Sequence, residues 1–259
     1  YTILKLGQLM KIILYIFLLA VSLSAHGENI IQRSFEKNKV EGTMLIESLD
    51  GSRRYSYNLS DNQHIPASTF KIANTLILLE EDLLSPDKVI KWDKEVRVYE
   101  PWNQDQTLRT AFQFSCVWCY QRFAEKLTNA TYLSYLEKFD YGNKKTGHSV
   151  KTFWLEGDLR VSVKEQIEFL KKVYLKKLPI KKENFTILEA VMISEEKSSY
   201  QVYSKTGWAG TNGWFVGYIK TSDNDAWFFA NHLKIKSNEM LPLRKSMVYD
   251  VFYEMGVLK

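Results

Sequence analysis

Segments patterned as β-strands occupy both ends of the chain, and segments patterned as helices fill the middle. Towards the N-terminus, Val40 to Ser48 and Arg54 to Asn58 are short apolar-rich runs separated by Leu49-Asp50-Gly51-Ser52, which reads as a hairpin. Towards the C-terminus, Ser199 to Ser204, Gly213 to Lys220 and Ala226 to Leu233 read as strands, the last following the turn cluster Thr221-Ser222-Asp223-Asn224-Asp225. Between them Phe70, Ala73, Leu76, Ile77 and Leu79 recur at helical spacing. Val163, Ile167, Leu170, Val173 and Tyr174 do so again behind a capping box of Ser162 and Glu165. Leu243 to Val257 gives a further amphipathic helix. Strands must bury their apolar faces against something, so the two ends are expected to meet in one sheet. The predicted class is α+β: an antiparallel sheet from both chain ends, flanked by helices, with a helical region inserted over roughly 69–190. No internal repeat and no long Pro/Gly linker interrupts this order.

From Met10 the chain reads Met-Lys, then an unbroken apolar run from Ile12 to Leu19, then small residues up to Ala25, then polar Glu28 and Asn29. This is the pattern of a secretory signal peptide, and its apolar stretch is shorter than the roughly 20 residues of a membrane span, although an uncleaved anchor stays open. The expected division is 1–9 as an upstream extension, 10–26 as the signal peptide and 27–259 as one domain. That domain is expected to be exported and periplasmic, a monomer or homodimer without stable membrane insertion. The formal charge of +5, from 35 Lys and Arg against 30 Asp and Glu, is too mild to argue for nucleic acid. The pairs Lys171-Lys172, Lys176-Lys177 and Lys181-Lys182 read as the solvated face of a helical region.

The only two cysteines are Cys116 and Cys119. With His26, His64, His148 and His232 scattered, they lack the ligand spacing of a metal site. On a helix, residues three apart share a face, but their Cβ vectors seldom suit a disulfide. Two buried thiols are therefore favoured over a bond, which an oxidising compartment would allow.

Ser68-Thr69-Phe70-Lys71 opens the first helical run, which puts a hydroxyl and an amine on one face. Ser needs a base to become a nucleophile, and a Lys neutralised by apolar neighbours such as Phe70, Ile72 and Leu76 supplies one. Lys205-Thr206-Gly207 lies at the end of a strand candidate, where Gly207 lets a substrate approach the backbone and Lys205 presents positive charge. Each tripeptide or tetrapeptide alone is weak. Their order, with Ser115-Cys116-Val117, Tyr141-Gly142-Asn143 and Trp154-Leu155-Glu156-Gly157 between them, is the motif order of the penicillin-recognising serine enzymes.

Over essentially the whole chain after the leader, the sequence resembles the class D β-lactamases, the oxacillinase family. Tyr99 to Asp105, Gly213-Trp214-Phe215-Val216-Gly217 and Leu241-Pro242-Leu243-Arg244 add to the resemblance. It implies the serine β-lactamase/penicillin-binding transpeptidase-like fold and hydrolysis of penicillin-type antibiotics through an acyl-enzyme. It implies Ser68 as nucleophile and Lys71 as N6-carboxylysine, the general base, with carbon dioxide as the only added group and no metal. Trp154 would hold that carboxylate, with Val117 and Leu155 as apolar neighbours. Ser115 would relay a proton between Lys205 and the leaving nitrogen. Lys205, Thr206 and Arg244 would bind the substrate carboxylate, and Gly207 and Trp208 would line the substrate, with the Ser68 and Trp208 amides as oxyanion hole.

The same residues carry plainer readings. Ser115 could be a helix cap, Trp154 and Val117 core residues, Arg244 a surface residue, and Tyr141-Gly142-Asn143 a turn, which is the reading preferred for that motif. Glu156 could be mistaken for the deacylation base of class A enzymes, but Ser115-Cys116-Val117 stands where class A has Ser-Asp-Asn, so Lys71 is preferred. Two rival functions use the same motifs. One is a β-lactam sensor or penicillin-binding domain that acylates without turnover; the other is a cell-wall transpeptidase.

Overall fold

The computed structural model describes residues 30–259, so the expected leader over 10–26 and the extension over 1–9 lie outside the described residues. A six-stranded sheet forms the centre, in the order β2-β1-β6-β5-β4-β3. Its strands are β1 (Gly42–Ser48), β2 (Arg54–Tyr57), β3 (Ile193–Glu196), β4 (Tyr200–Ala209), β5 (Asn212–Thr221) and β6 (Ala226–Lys234). Every pairing is antiparallel. The two ends of the chain meet where β1 pairs with β6, Leu45 opposite Ala230 and Ile46 opposite Phe229.

Alternation along the strands divides two cores. Leu45, Phe228, Ala230, Trp214 and Val216 face one cluster, which continues into the inserted helices. Met44, Ile46, Trp227, Phe229 and Phe215 face the other, closed by helix α1 (residues 30–38) and α8 (Leu243–Glu254). Both faces of the sheet are thus covered, which is why β5 and β6 are buried almost throughout rather than half-polar.

The inserted region holds α2 (Lys71–Glu80), α3 (Leu108–Gln113), α4 (Val117–Ala124), α5 (Asn129–Phe139), α6 (Val163–Tyr174) and α7 (Lys182–Met192). Nine consecutive residues of α2, Lys71 to Leu79, are buried, so this helix is the hub of the larger core rather than a surface helix. The capping box of Ser162 and Glu165 forms at the start of α6 as expected.

Four expectations need correction. First, Cys116 and Cys119 are disulfide-bonded, not free thiols. The objection to a bond applied to a pair lying on a helix, whereas Cys116 is the non-helical N-cap of α4 (φ −52°, ψ 105°), which redirects its Cβ. Second, β4 runs on to Ala209, so Lys205-Thr206-Gly207 sits inside a strand instead of at its end. Third, α8 stops at Glu254, where Gly256 takes a left-handed φ of 71°. Fourth, β3 was not anticipated: Ile193-Ser194-Glu195-Glu196 is a short edge strand without apolar alternation.

Candidate active site

Ser68 lies in a 3-10 turn, Ala67–Phe70, that leads directly into α2. The residue before it, Ala67, is buried with φ 51°, a left-handed conformation that costs a residue with a Cβ on the order of 1 kcal/mol. Thr69 Oγ1 donates to Pro66 O at 2.7 Å and accepts from Gln166 Nε2 at 2.8 Å, which pins the turn from both sides. Lys71 Nζ donates to Ser68 Oγ at 3.3 Å. Lys71 is only 1% exposed, and its burial pulls the amine down to about 7. Its Nζ lies 4.8 Å from the centre of the Tyr120 ring, whose hydroxyl pairs with Thr75 Oγ1 at 2.7 Å.

Ser115 takes a left-handed φ of 55° between α3 and α4, so both candidate serines emerge from corners that ordinary side chains avoid. Lys205 Nζ, from the middle of β4, donates to Ser115 Oγ and to Thr206 O. Burial holds the Lys205 amine well below its ordinary value, and the charges of Lys71 and Arg244 push it the same way. Val117 is half-buried at the first position of α4. Ser115 is therefore not the helix cap; Cys116 is.

A Cβ on Gly207 would stand 2.9 Å from Pro66 O and 3.1 Å from Thr69 Cγ2. Only glycine lets β4 lie this close to the turn that carries Ser68. Arg244, from the first turn of α8, donates from Nη1 to Gly207 O at 2.7 Å. It is brought to the site rather than left on the surface, and Asn231 Nδ2 holds its own carbonyl at 2.9 Å. Burial lowers the guanidinium to about 10, so it stays cationic at neutral pH. Thr206 is half-buried, and Trp208 is 46% exposed, one of the few large apolar residues left open to solvent.

Trp154 is fully buried and stacks on Phe70 with ring centres 5.8 Å apart. It is core packing and something more, because its indole Nε1 is buried without an acceptor among the described residues. Leu155 packs partly buried against the same core. Glu156 is exposed and lines a cavity of about 500 Å³ with His64, Arg160 and Gly210. Tyr141-Gly142-Asn143 is structural: a Cβ on Gly142 would collide with Arg160 O, and Asn143 binds the backbone of Asp158 and Arg160. This fixes the segment that follows Trp154.

Thus Ser68, Lys71, Ser115, Lys205, Thr206, Gly207 and Arg244 are linked through named contacts, and Trp154 joins them through Phe70. Sequence reasoning missed Tyr120, Gln166 and Ala67. No local signal marks Tyr120 or Gln166, whose roles depend on tertiary packing, and a positive φ at an alanine leaves no trace in composition. Among the described residues, no group of three His, Cys, Asp or Glu side chains is placed to hold a metal ion. A cavity of about 610 Å³ lined by Arg53, Trp227 and Glu254 contains none of these site residues.

A buried Ser-x-x-Lys at the head of a central helix, facing a Ser and a Lys-Thr-Gly strand, defines a penicillin-recognising serine acyl enzyme. The model of the penicillin binding protein transpeptidase domain matches residues 25–253. The chain is 34% identical over 236 residues to β-lactamase OXA-10 of Pseudomonas aeruginosa, covering 87% of this chain and 88% of that protein. It is 33% identical over 231 residues to β-lactamase OXA-48 of Klebsiella pneumoniae, covering 86% and 87%. Among solved structures, FUS-1 (OXA-85), a class D β-lactamase from Fusobacterium nucleatum subsp. polymorphum, superposes with a TM-score of 0.86 at 34% identity. That match covers 89% of this chain and 99% of the other. The chain belongs to the class D β-lactamases, serine hydrolases that act on β-lactams.

Proposed function

We propose that this protein hydrolyses penicillin-type β-lactams through an acyl-enzyme on Ser68 and thereby confers resistance to them. The observation that carries the reading is the buried pair of Ser68 and a Lys71 held near neutrality, with Ser115 and Lys205 bonded to each other beside it.

In acylation, Ser68 Oγ forms a bond to the lactam carbonyl carbon and gives its proton to the Lys71 side chain, while the lactam C–N bond breaks. Ser115 passes a proton to the departing nitrogen and recovers one from Lys205. Lys205 releases it readily because burial and neighbouring cations disfavour its charge. The substrate carboxylate rests on Lys205, Thr206 and Arg244, and the backbone amides of Ser68 and Trp208 hold the carbonyl oxygen. Before deacylation Lys71 gives up the proton taken from Ser68, and Lys205 regains one, through solvent. The Lys71 side chain then takes a proton from water as the water oxygen bonds to the ester carbon, and passes that proton to Ser68 Oγ as the C–Oγ bond breaks.

Carbon dioxide fits this site as a carboxylate on Lys71. A neutral amine is needed to take it up, and Lys71 supplies one; a donor is needed to hold it, and the acceptor-less Trp154 N–H supplies that. When bound, it provides an anionic base beside Ser68. Val117 and Leu155 border the site as its apolar neighbours. The chain acts as one catalytic domain over 27–259, exported to the periplasm after loss of residues 10–26, as a monomer or homodimer.

Turnover of a chromogenic cephalosporin in degassed buffer, and again with added bicarbonate, tests the reading. Sustained hydrolysis that rises with bicarbonate is expected. A single stoichiometric burst would overturn it in favour of an acylating sensor or transpeptidase.

A further inference from the structure

The disulfide lies in the middle of the candidate site and has no assigned role. It joins Cys116, the N-cap of α4, to Cys119 one turn later, with Cα atoms 5.4 Å apart. Both residues are fully buried. The Cys119 amide donates to Cys116 Sγ at 3.3 Å, so the same sulfur also caps the helix.

What the clasp borders matters more than its own burial. The residue before it, Ser115, carries the left-handed φ and receives the Lys205 bond. Val117 and Trp118 lie inside the closed ring. Trp118 Nε1 donates to Trp102 O at 3.1 Å, and Trp102 Nε1 donates back to Phe114 O at 2.9 Å, next to Ser115. The residue after it, Tyr120, places its ring over Lys71 Nζ. One covalent link therefore spans from the partner of Lys205 to the cover of Lys71.

A helix of eight residues is short enough to fray at its first turn without such a tie. Fraying here would release the strained Ser115 corner and lift Tyr120 at the same time. Water would then reach Lys71, whose neutrality rests on burial alone.

We propose that the Cys116–Cys119 disulfide is a positioning element of the catalytic site, holding Ser115 against Lys205 and Tyr120 over Lys71 so that the Lys71 side chain stays dry. The inference rests on the reading of Lys71 as the base. Cys116 and Cys119 touch no substrate; they act through Ser115, Val117 and Tyr120.

The test is the double variant Cys116→Ser/Cys119→Ser beside the parent, compared in turnover at graded bicarbonate and in the pH profile of Ser68 acylation. The bicarbonate concentration for half-maximal turnover is expected to rise by about tenfold, with kcat recovering at saturation and KM nearly unchanged. The acid limb of acylation is expected to move to higher pH, because a wetter Lys71 regains its proton more easily. If both readouts match the parent, even with a lowered Tm, the bond is merely structural and the inference falls. If the parent itself ignores bicarbonate, the carboxylate reading falls instead, and the acid limb alone then decides this inference.

Should the double variant fail to fold, the parent is reduced with dithiothreitol, and thiol titration confirms two free cysteines. In that exchange the dithiol closes to its cyclic disulfide, while Cys116 and Cys119 each gain one electron and one proton. Parent-like values in the reduced protein would overturn the proposal.

Discussion

Trp154 and Phe70 stack with ring centres 5.8 Å apart, and the Trp154 indole N–H is buried with no acceptor among the described residues. An unpaired buried donor costs about 1–3 kcal/mol, a cost the fold would shed if the donor had no use. Trp154→Phe keeps the ring and removes the donor. Turnover in air is expected to fall by about 10- to 100-fold, with partial rescue by bicarbonate, as measured with a chromogenic cephalosporin.

In the proposed mechanism Lys71 is the base, and its burial also bears on stability. Lys71→Met, close in volume, is expected to slow acylation and abolish deacylation, so drug should accumulate slowly on Ser68 by mass spectrometry and stay bound. The stability effect has a definite sign. Between about 7 and its ordinary 10.5, the unfolded chain binds a proton at this site and the fold does not, so the native lysine costs stability that is regained as pH rises. In degassed buffer the variant should be more stable than the parent by up to about 5 kcal/mol at pH 6, with the gain vanishing above pH ~10.5. Denaturant unfolding at several pH values measures it.

Arg244 holds Gly207 O and stays charged beside Thr206 and Lys205. In the proposed function Arg244→Ala removes a partner of the substrate carboxylate, one that would meet the substrate before and during reaction alike. Steady-state kinetics should show KM rising by roughly 10- to 100-fold with a smaller change in kcat.

His232 stacks on His64 with ring centres 3.8 Å apart and pairs through Nε2 with Asn212 Oδ1. Burial, and then the charge of His64, depress His232 to about 3. From the ordinary 6.5 down to about 3 the unfolded chain takes up a proton that the fold refuses, so stability present above pH 6.5 drains away on acidification. His232→Gln should flatten that acid slope by on the order of 2 kcal/mol at pH 4, read from denaturant midpoints.

The strands of the sheet were legible because β1, β5 and β6 bury alternate residues in two separate cores, which leaves a continuous apolar signature between turn residues. β3 was not, since an edge strand of four residues with two glutamates has no such signature. In the site, Ser68, Lys71 and Lys205 were legible as ordered motifs, and Arg244 through its neighbours Leu241 to Leu243. Tyr120 was not, because its place over Lys71 depends on how α4 crosses α2. The disulfide was misread for a related reason: helix periodicity does not say on which residue a helix begins, and Cys116 stands one residue outside.

The pairing of β1 with β6 has a consequence for how the molecule comes into being. β1 leaves the ribosome long before its neighbour exists, and the closure of so long a loop is entropically costly and slow. Until β6 arrives, β1 and β2 are a lone hairpin, too small to persist in water. The β4 strand that carries Lys205 is likewise synthesised late, so Ser68 and Lys71 emerge well before Lys205. A chain that ends before β6 leaves β1 without the strand it pairs with along its whole length.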